Sequence, residues 1–168
     1  QSDADLAIHG GSSNRTQSMK SFRLLAKEKY GNPYFQYSFF HQKSFVHNFK
    51  HLVFRNASSD FLKANMRDAC LQRYLEECQL NIDNVAYEPY IVYINGEYHG
   101  LQELREKVDE YYIESNYNLD PLKVNILEED SFIIAGNRIE FDSLWMEIIH
   151  ADLNKDDIYK KFENYFDT

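Results

Sequence analysis

The chain has 168 residues and a mass of 20.0 kDa, is 43% hydrophobic and 15% aromatic, and carries a net charge of −9. A mean hydropathy of −0.60 with no long apolar run excludes a membrane-spanning helix, and 13 Tyr with 12 Phe exclude intrinsic disorder. Six Gly and three Pro exclude collagen-like and low-complexity classes.

The elements are read in chain order. Residues 5–9 alternate as a strand that enters a turn at Gly10-Gly11-Ser12-Ser13-Asn14. Residues 20–27 alternate again, with Lys20, Phe22 and Leu24 on one face. Tyr30-Gly31-Asn32-Pro33 is a turn, and residues 34–40 and 51–55 read as strands. Ser58, Ser59 and Asp60 offer helix caps, and Leu62, Met66, Ala69, Cys70 and Leu75 recur at helical spacing, which predicts a helix over 60–78. Residues 87–104 form a hairpin about Asn95-Gly96. A helix over 106–117 follows. Short strands at 122–127 and 131–135 can pair. Two last helices are predicted over 142–151 and 155–166, capped by Asp142 and Asn154. This order is an α+β layout with an antiparallel sheet, not a βαβ repeat.

Charge is unevenly distributed. Residues 1–84 hold 11 Lys and Arg against 8 Asp and Glu, whereas residues 85–168 hold 7 against 19. The first half also contains four of the six His. It can receive an anion, while the chain lacks the strongly basic face of a duplex nucleic-acid binder. The acidic half reads as solvated surface.

Cys70 and Cys78 on one helix lie about 12 Å apart along its axis, too far for a disulfide, and they read as small buried apolar residues. Asn14-Arg15-Thr16 and Asn56-Ala57-Ser58 match the glycan acceptor pattern. The P-loop, the dinucleotide fingerprint, the GxSxG elbow and HExxH are all missing, and the His residues have no metal-ligand spacing. Trp145 reads as a helix core position.

The informative stretch is His9-Gly10-Gly11-Ser12-Ser13 through Lys20-Ser21-Phe22-Arg23-Leu24. Two glycines let backbone amides approach a ligand, and short hydroxyls add donors. An ammonium on the apolar face of a strand needs an anion. Lys20 therefore either snorkels at the sheet edge or meets a carboxylate and a phosphate.

These residues, with Tyr30-Gly31, resemble the opening of the spore-coat-protein-H (CotH) kinase family. The resemblance continues through Leu52-Val53-Phe54-Arg55-Asn56, Met66-Arg67-Asp68-Ala69, Tyr93-Ile94-Asn95-Gly96-Glu97-Tyr98-His99-Gly100-Leu101 and Leu104-Arg105-Glu106-Lys107-Val108-Asp109. It covers roughly residues 5–127. It implies an atypical protein-kinase-like N-lobe over 1–105, with residues 106–168 opening the helical lobe. It also implies a secreted or surface-associated bacterial protein that transfers the γ-phosphate of ATP to Ser residues of partner proteins. Carried over, Gly10, Gly11, Ser12, Ser13 and Arg15 form the phosphate-covering turn. Lys20 holds the phosphates. Asp68 pairs with Lys20, with Glu76 or Glu77 as alternatives, and Glu106 lines the adenine side. No metal ligand is assigned. In that family the Mg2+-binding aspartates come later, around an Asn/Asp-Trp-x-x-Asn-like stretch that this sequence lacks, so they are expected beyond residue 168; the chain starts without Met and reads as a piece of a longer protein. Residues 1–168 alone are therefore expected not to turn over ATP. A non-catalytic surface or scaffold module of the same fold, and a bare nucleotide-binding regulatory domain, are the alternatives.

Overall fold

The computed structural model describes residues 2–11, 15–129 and 132–166. Its contacts divide the chain into one compact unit ending at Pro121 and a second beginning at Leu122. The division follows the helix after the hairpin, rather than preceding it at 105/106.

The first unit is built on a five-stranded antiparallel sheet in the order β1-β2-β5-β7-β6. The strands are β1 (Asp5–Ile8), β2 (Phe22–Leu25), β5 (His51–Arg55), β6 (Tyr87–Ile94) and β7 (Glu97–Glu106). A two-stranded ribbon, β3 (Phe35–Gln36) with β4 (Asn48–Phe49), lies between β2 and β5 in sequence. Asn95 and Gly96 both take positive φ, 53° and 85°, as the β6–β7 turn requires.

The strand expected over 34–40 shrinks to two residues. A strand sends neighbouring side chains to opposite faces, yet Phe39 and Phe40 both join the same core. Phe40 is fully buried and packs edge-on against Phe49, with ring centroids 5.3 Å apart. Phe35, Val46, Leu52, Ala86 and Leu104 complete that core. The sheet face carrying Leu24, Leu52, Phe54 and Leu104 is thereby covered by the 34–50 segment.

Helix α1 (Arg67–Glu77) starts later than its periodicity suggests. Asn65, within the expected span, takes a positive φ of 62°, which interrupts an α-helix. The Asp60 carboxylate accepts the Arg67 N–H at 3.2 Å and so caps the helix from upstream. Leu62 and Met66 are exposed rather than packed.

The next helix, α2 (Glu110–Tyr117), is displaced from 106 because β7 runs on through Glu106. Its cap is Asp109, whose carboxylate accepts from the N–H groups of Tyr111 and Tyr112.

Cys70 and Cys78 are free and exposed, contrary to the buried expectation. A thiol titration of the native protein should count two reactive groups. Fewer than two would contradict this placement.

The second unit contains the hairpin β8 (Ile126–Glu128) with β9 (Phe132–Ala135), then α3 (Ile139–His150) and α4 (Asp156–Glu163). Neither cap falls where expected. Asp142 lies in the first turn of α3, with its carboxylate 2.8 Å from Arg138, and Lys155 rather than Asn154 precedes α4. Phe162 is buried, but Trp145 is 53% exposed and stacks on Phe141. No helix among the described residues is long and apolar enough to cross a membrane.

Candidate functional site

The turn after β1 is tied together by its own backbone. Gly10 takes φ 92°, open to glycine but strained for other residues. A Cβ on Gly11 would meet nothing within 4 Å, so that side of the turn is open. Arg15 donates its Nε–H to the Gly10 carbonyl at 3.1 Å and its backbone N–H to the Gly11 carbonyl at 3.2 Å. Lys20 donates from Nζ to the carbonyls of Arg15 at 2.6 Å and Gln17 at 2.5 Å. The ammonium therefore closes the turn. Ser12, Ser13 and Asn14, also assigned or flagged there, lie outside the described residues.

The base of the turn is held from the sheet. Ser21 is fully buried and its hydroxyl donates to Asn56 Oδ1 at 2.8 Å. Asn56 Nδ2 donates to the Met19 carbonyl, and Gln102 Nε2 to the Lys20 carbonyl, both at 2.6 Å. Asn56 is 1% exposed, so this acceptor motif is folded into the structure instead of displayed for a glycan.

The expected Lys20–Asp68 pair does not form. Asp68, half-buried on the first turn of α1, takes Arg55 and Arg105 instead, the latter at 2.6 Å. Burial pushes the Asp68 carboxyl up, but the Arg105 and Arg55 charges outweigh it and hold it below the ordinary range. The alternatives fare no better: Glu77 pairs with Arg73 four residues back on the same helix, at 2.8 Å, and no pairing brings Glu76 to Lys20. A strand cation does meet a helix carboxylate, but the cations come from β5 and β7. The signal available in the sequence was Arg55 itself, two residues beyond Val53 at the end of a clear strand.

Glu106 also departs from expectation. Its carboxylate is buried, 3.0 Å from Lys43 Nζ, and accepts from Asn116 Nδ2 at 2.8 Å. It belongs to the core beneath the sheet. Lys43 in turn donates to the Tyr112 hydroxyl at 2.9 Å, and that hydroxyl donates to Asp83 at 2.7 Å.

The opposite face of the sheet is cationic. Strand register places Arg23 opposite Val53, and Val53 opposite Arg105, on one face. Alternation adds Arg55 to it. Burial, then the charges of Arg23, Lys107 and Arg55, push the His9 imidazole toward its neutral form. Arg23 Nε is buried without a hydrogen-bond partner among the described residues. Beside Arg55, a cavity of about 230 Å³ opens between α1 and the β6–β7 hairpin, lined by Met66, Ala69, Cys70, Tyr87 and Leu101.

Below this face, Asp109 is 1% exposed and 2.7 Å from both His51 Nδ1 and Lys107 Nζ. Among the described residues, no group of three or more His, Cys, Asp or Glu is placed to hold a metal ion.

The architecture is thus a glycine turn closed by Lys20 and Arg15, next to a sheet face on which Arg23, Arg55 and Arg105 stand with Glu103 and with Asp68 of α1. Such an arrangement suits a multiply charged anion. A family model described as CotH kinase protein matches residues 6–167. No curated protein and no solved structure matches the chain.

Proposed function

The chain belongs to the CotH kinase family, and from that membership we propose that it is the nucleotide-handling part of a protein kinase that phosphorylates Ser residues of secreted or surface proteins. The observation that carries the reading is the family match over nearly the whole chain. The layout supports it: a five-stranded antiparallel sheet, with one helix following its third strand, suits a kinase-like N-lobe.

In this reading ATP supplies the phosphoryl group. Gly10, Gly11, Ser12, Ser13 and Arg15 cover its phosphates, with the open side of Gly11 admitting them. Lys20 holds the turn in shape and stands at its rim. The backbone of residues 106–109 borders the adenine, because the Glu106 carboxylate is committed to Lys43. Mg2+ is part of the proposal, with ligands contributed outside residues 1–168. The described residues do not offer a metal cluster, so no step is drawn through the ion.

The test is transfer. The full-length protein with ATP, Mg2+ and a Ser-rich protein acceptor should yield phosphoserine, detected by mass spectrometry. Absence of transfer and of nucleotide binding together would remove the kinase reading. Lys20→Ala should lower ATP affinity or rate by about 10- to 150-fold, because the turn loses the charge-assisted bonds, worth roughly 1.5–3 kcal/mol, by which the ammonium closes it. Lys20→Arg should not restore it, since a planar fork cannot reach two converging carbonyls as a compact ammonium does. A folded Lys20→Ala protein with wild-type affinity and rate would remove Lys20 from the nucleotide site.

A further inference from the structure

We propose that Arg23 and Arg55 are the side chains that receive the nucleotide phosphates, and that Asp68 is the positioning residue that aims Arg55. This rests on the kinase reading above and assigns roles within it. Phe22 pairs with Phe54, and Arg23 with Val53. Arg23 and Arg55 are therefore diagonal neighbours on one face, roughly 7–8 Å apart, a span that long side chains bridge. β5 ends at Arg55, and His9 pairs its N–H with the Ser21 carbonyl beside that end. The two guanidinium groups thus stand next to the glycine turn.

On this face three guanidinium groups, Arg23, Arg55 and Arg105, meet two carboxylates, Asp68 and Glu103, and Glu103, opposite Arg55 in register, is bonded to Arg105. The same Asp68 oxygen serves both Arg55 and Arg105, while Arg105 also has Glu103 at 2.8 Å. Arg55 is left with half a partner. Arg23 Nε is buried with no acceptor among the described residues. A buried donor without an acceptor is costly, and an arriving anion removes that cost. A guanidinium fork also matches two phosphate oxygens at once. The His9 imidazole is pushed toward its neutral form by burial first and then by the charges of Arg23, Lys107 and Arg55, which places both arginines near it. Lys20, by contrast, already donates to two carbonyls. Asp68 sits in the first turn of α1, so any shift of that helix moves the Arg55 head group.

The experiment measures binding of MgATP and of adenosine to the full-length protein by calorimetry, with circular dichroism as the folding control. Arg55→Gln should weaken MgATP about 10- to 150-fold, and Arg23→Gln about 10-fold, the cost of charge-assisted contacts. Adenosine, which has no phosphate, should bind as before. Arg55→Lys should keep part of the affinity. Asp68→Asn should weaken MgATP several-fold and Asp68→Glu should restore most of it, a rescue that a purely structural role would not give. Should Arg55→Gln fail to fold, Arg23→Gln and Arg55→Lys carry the test. Unchanged MgATP affinity in the folded Arg variants overturns the assignment and leaves the kinase reading standing. Parallel loss of adenosine and MgATP binding overturns it as well. A wild-type protein that binds neither ligand overturns both.

Discussion

Glu106→Ala is expected to destabilise the first unit by about 3–5 kcal/mol, the range for removing one partner of a buried ion pair. The substitution strands the Lys43 ammonium, 8% exposed and 3.0 Å from the lost carboxylate. Lys43 then retains the Tyr112 hydroxyl, a neutral acceptor already engaged with Asp83, and the face of that ring, with no carboxylate. The substitution also removes the 2.8 Å bond from Asn116 Nδ2 that ties α2 to the end of β7, leaving that amide with acceptors within its own helix. Since domains of this size are stable by only about 5–15 kcal/mol, most of the margin disappears. The double variant Lys43→Met with Glu106→Leu should recover much of the loss, because an apolar pair of similar volume carries no stranded charge. Urea unfolding followed by circular dichroism measures both. A Glu106→Ala protein with the wild-type midpoint would show that this pair is not buried as described. The result also bears on function: loss of nucleotide binding in that variant would report unfolding, not a missing adenine contact.

Asp109→Ala should cost a similar amount, about 3–5 kcal/mol. One carboxylate does three jobs. It caps α2 through Tyr111 and Tyr112, a contribution of about 0.5–2 kcal/mol. It also bonds His51 and Lys107, each at 2.7 Å. Burial pushes the Asp109 carboxyl up, but the hydrogen bonds from His51 and Lys107 outweigh it and hold it below 3.8. A depressed carboxylate contributes stability that is present above its unfolded value and is lost as pH falls through the folded one. The wild type should therefore lose stability below about pH 4. The alanine variant should start low at pH 7 and show a flatter acid limb. Asp109→Asn should keep the cap and lose the ion pairs, falling between the two. Unfolding midpoints at pH 7 and through the acid range decide this. A loss below about 1 kcal/mol at pH 7, the ordinary effect of a surface change, would contradict the burial of this group.

Much of the local structure was legible. The Asn95-Gly96 hairpin was readable because a two-residue turn with both φ positive demands those residue types. β1, β5 and the β8–β9 ribbon followed from alternation and turn residues. Element ends were not readable where a distant side chain sets them. Asp60 fixes the start of α1 from seven residues upstream, and strand pairing with β5 carries β7 on to Glu106. The strand over 34–40 failed because two adjacent Phe residues serve one core, which alternation cannot express.

The candidate site divides in the same way. The sequence alone determined that a glycine turn precedes a basic strand, that a later helix carries Asp68, and that the ordered motifs resemble one family. Those features rest on residue type and near-neighbour spacing, which a sequence carries in full. Only the tertiary structure decided which cation meets which anion. Lys20 and Asp68 are compatible by charge, but so are Arg55 and Arg105, and register across β2, β5 and β7 brings the arginines to the helix. The family resemblance gives Glu106 an adenine contact, whereas the 34–50 segment brings Lys43 beneath it. Ion pairing is chosen by three-dimensional proximity between residues far apart in the chain. It therefore becomes definite only once the sheet is closed and its two faces are covered.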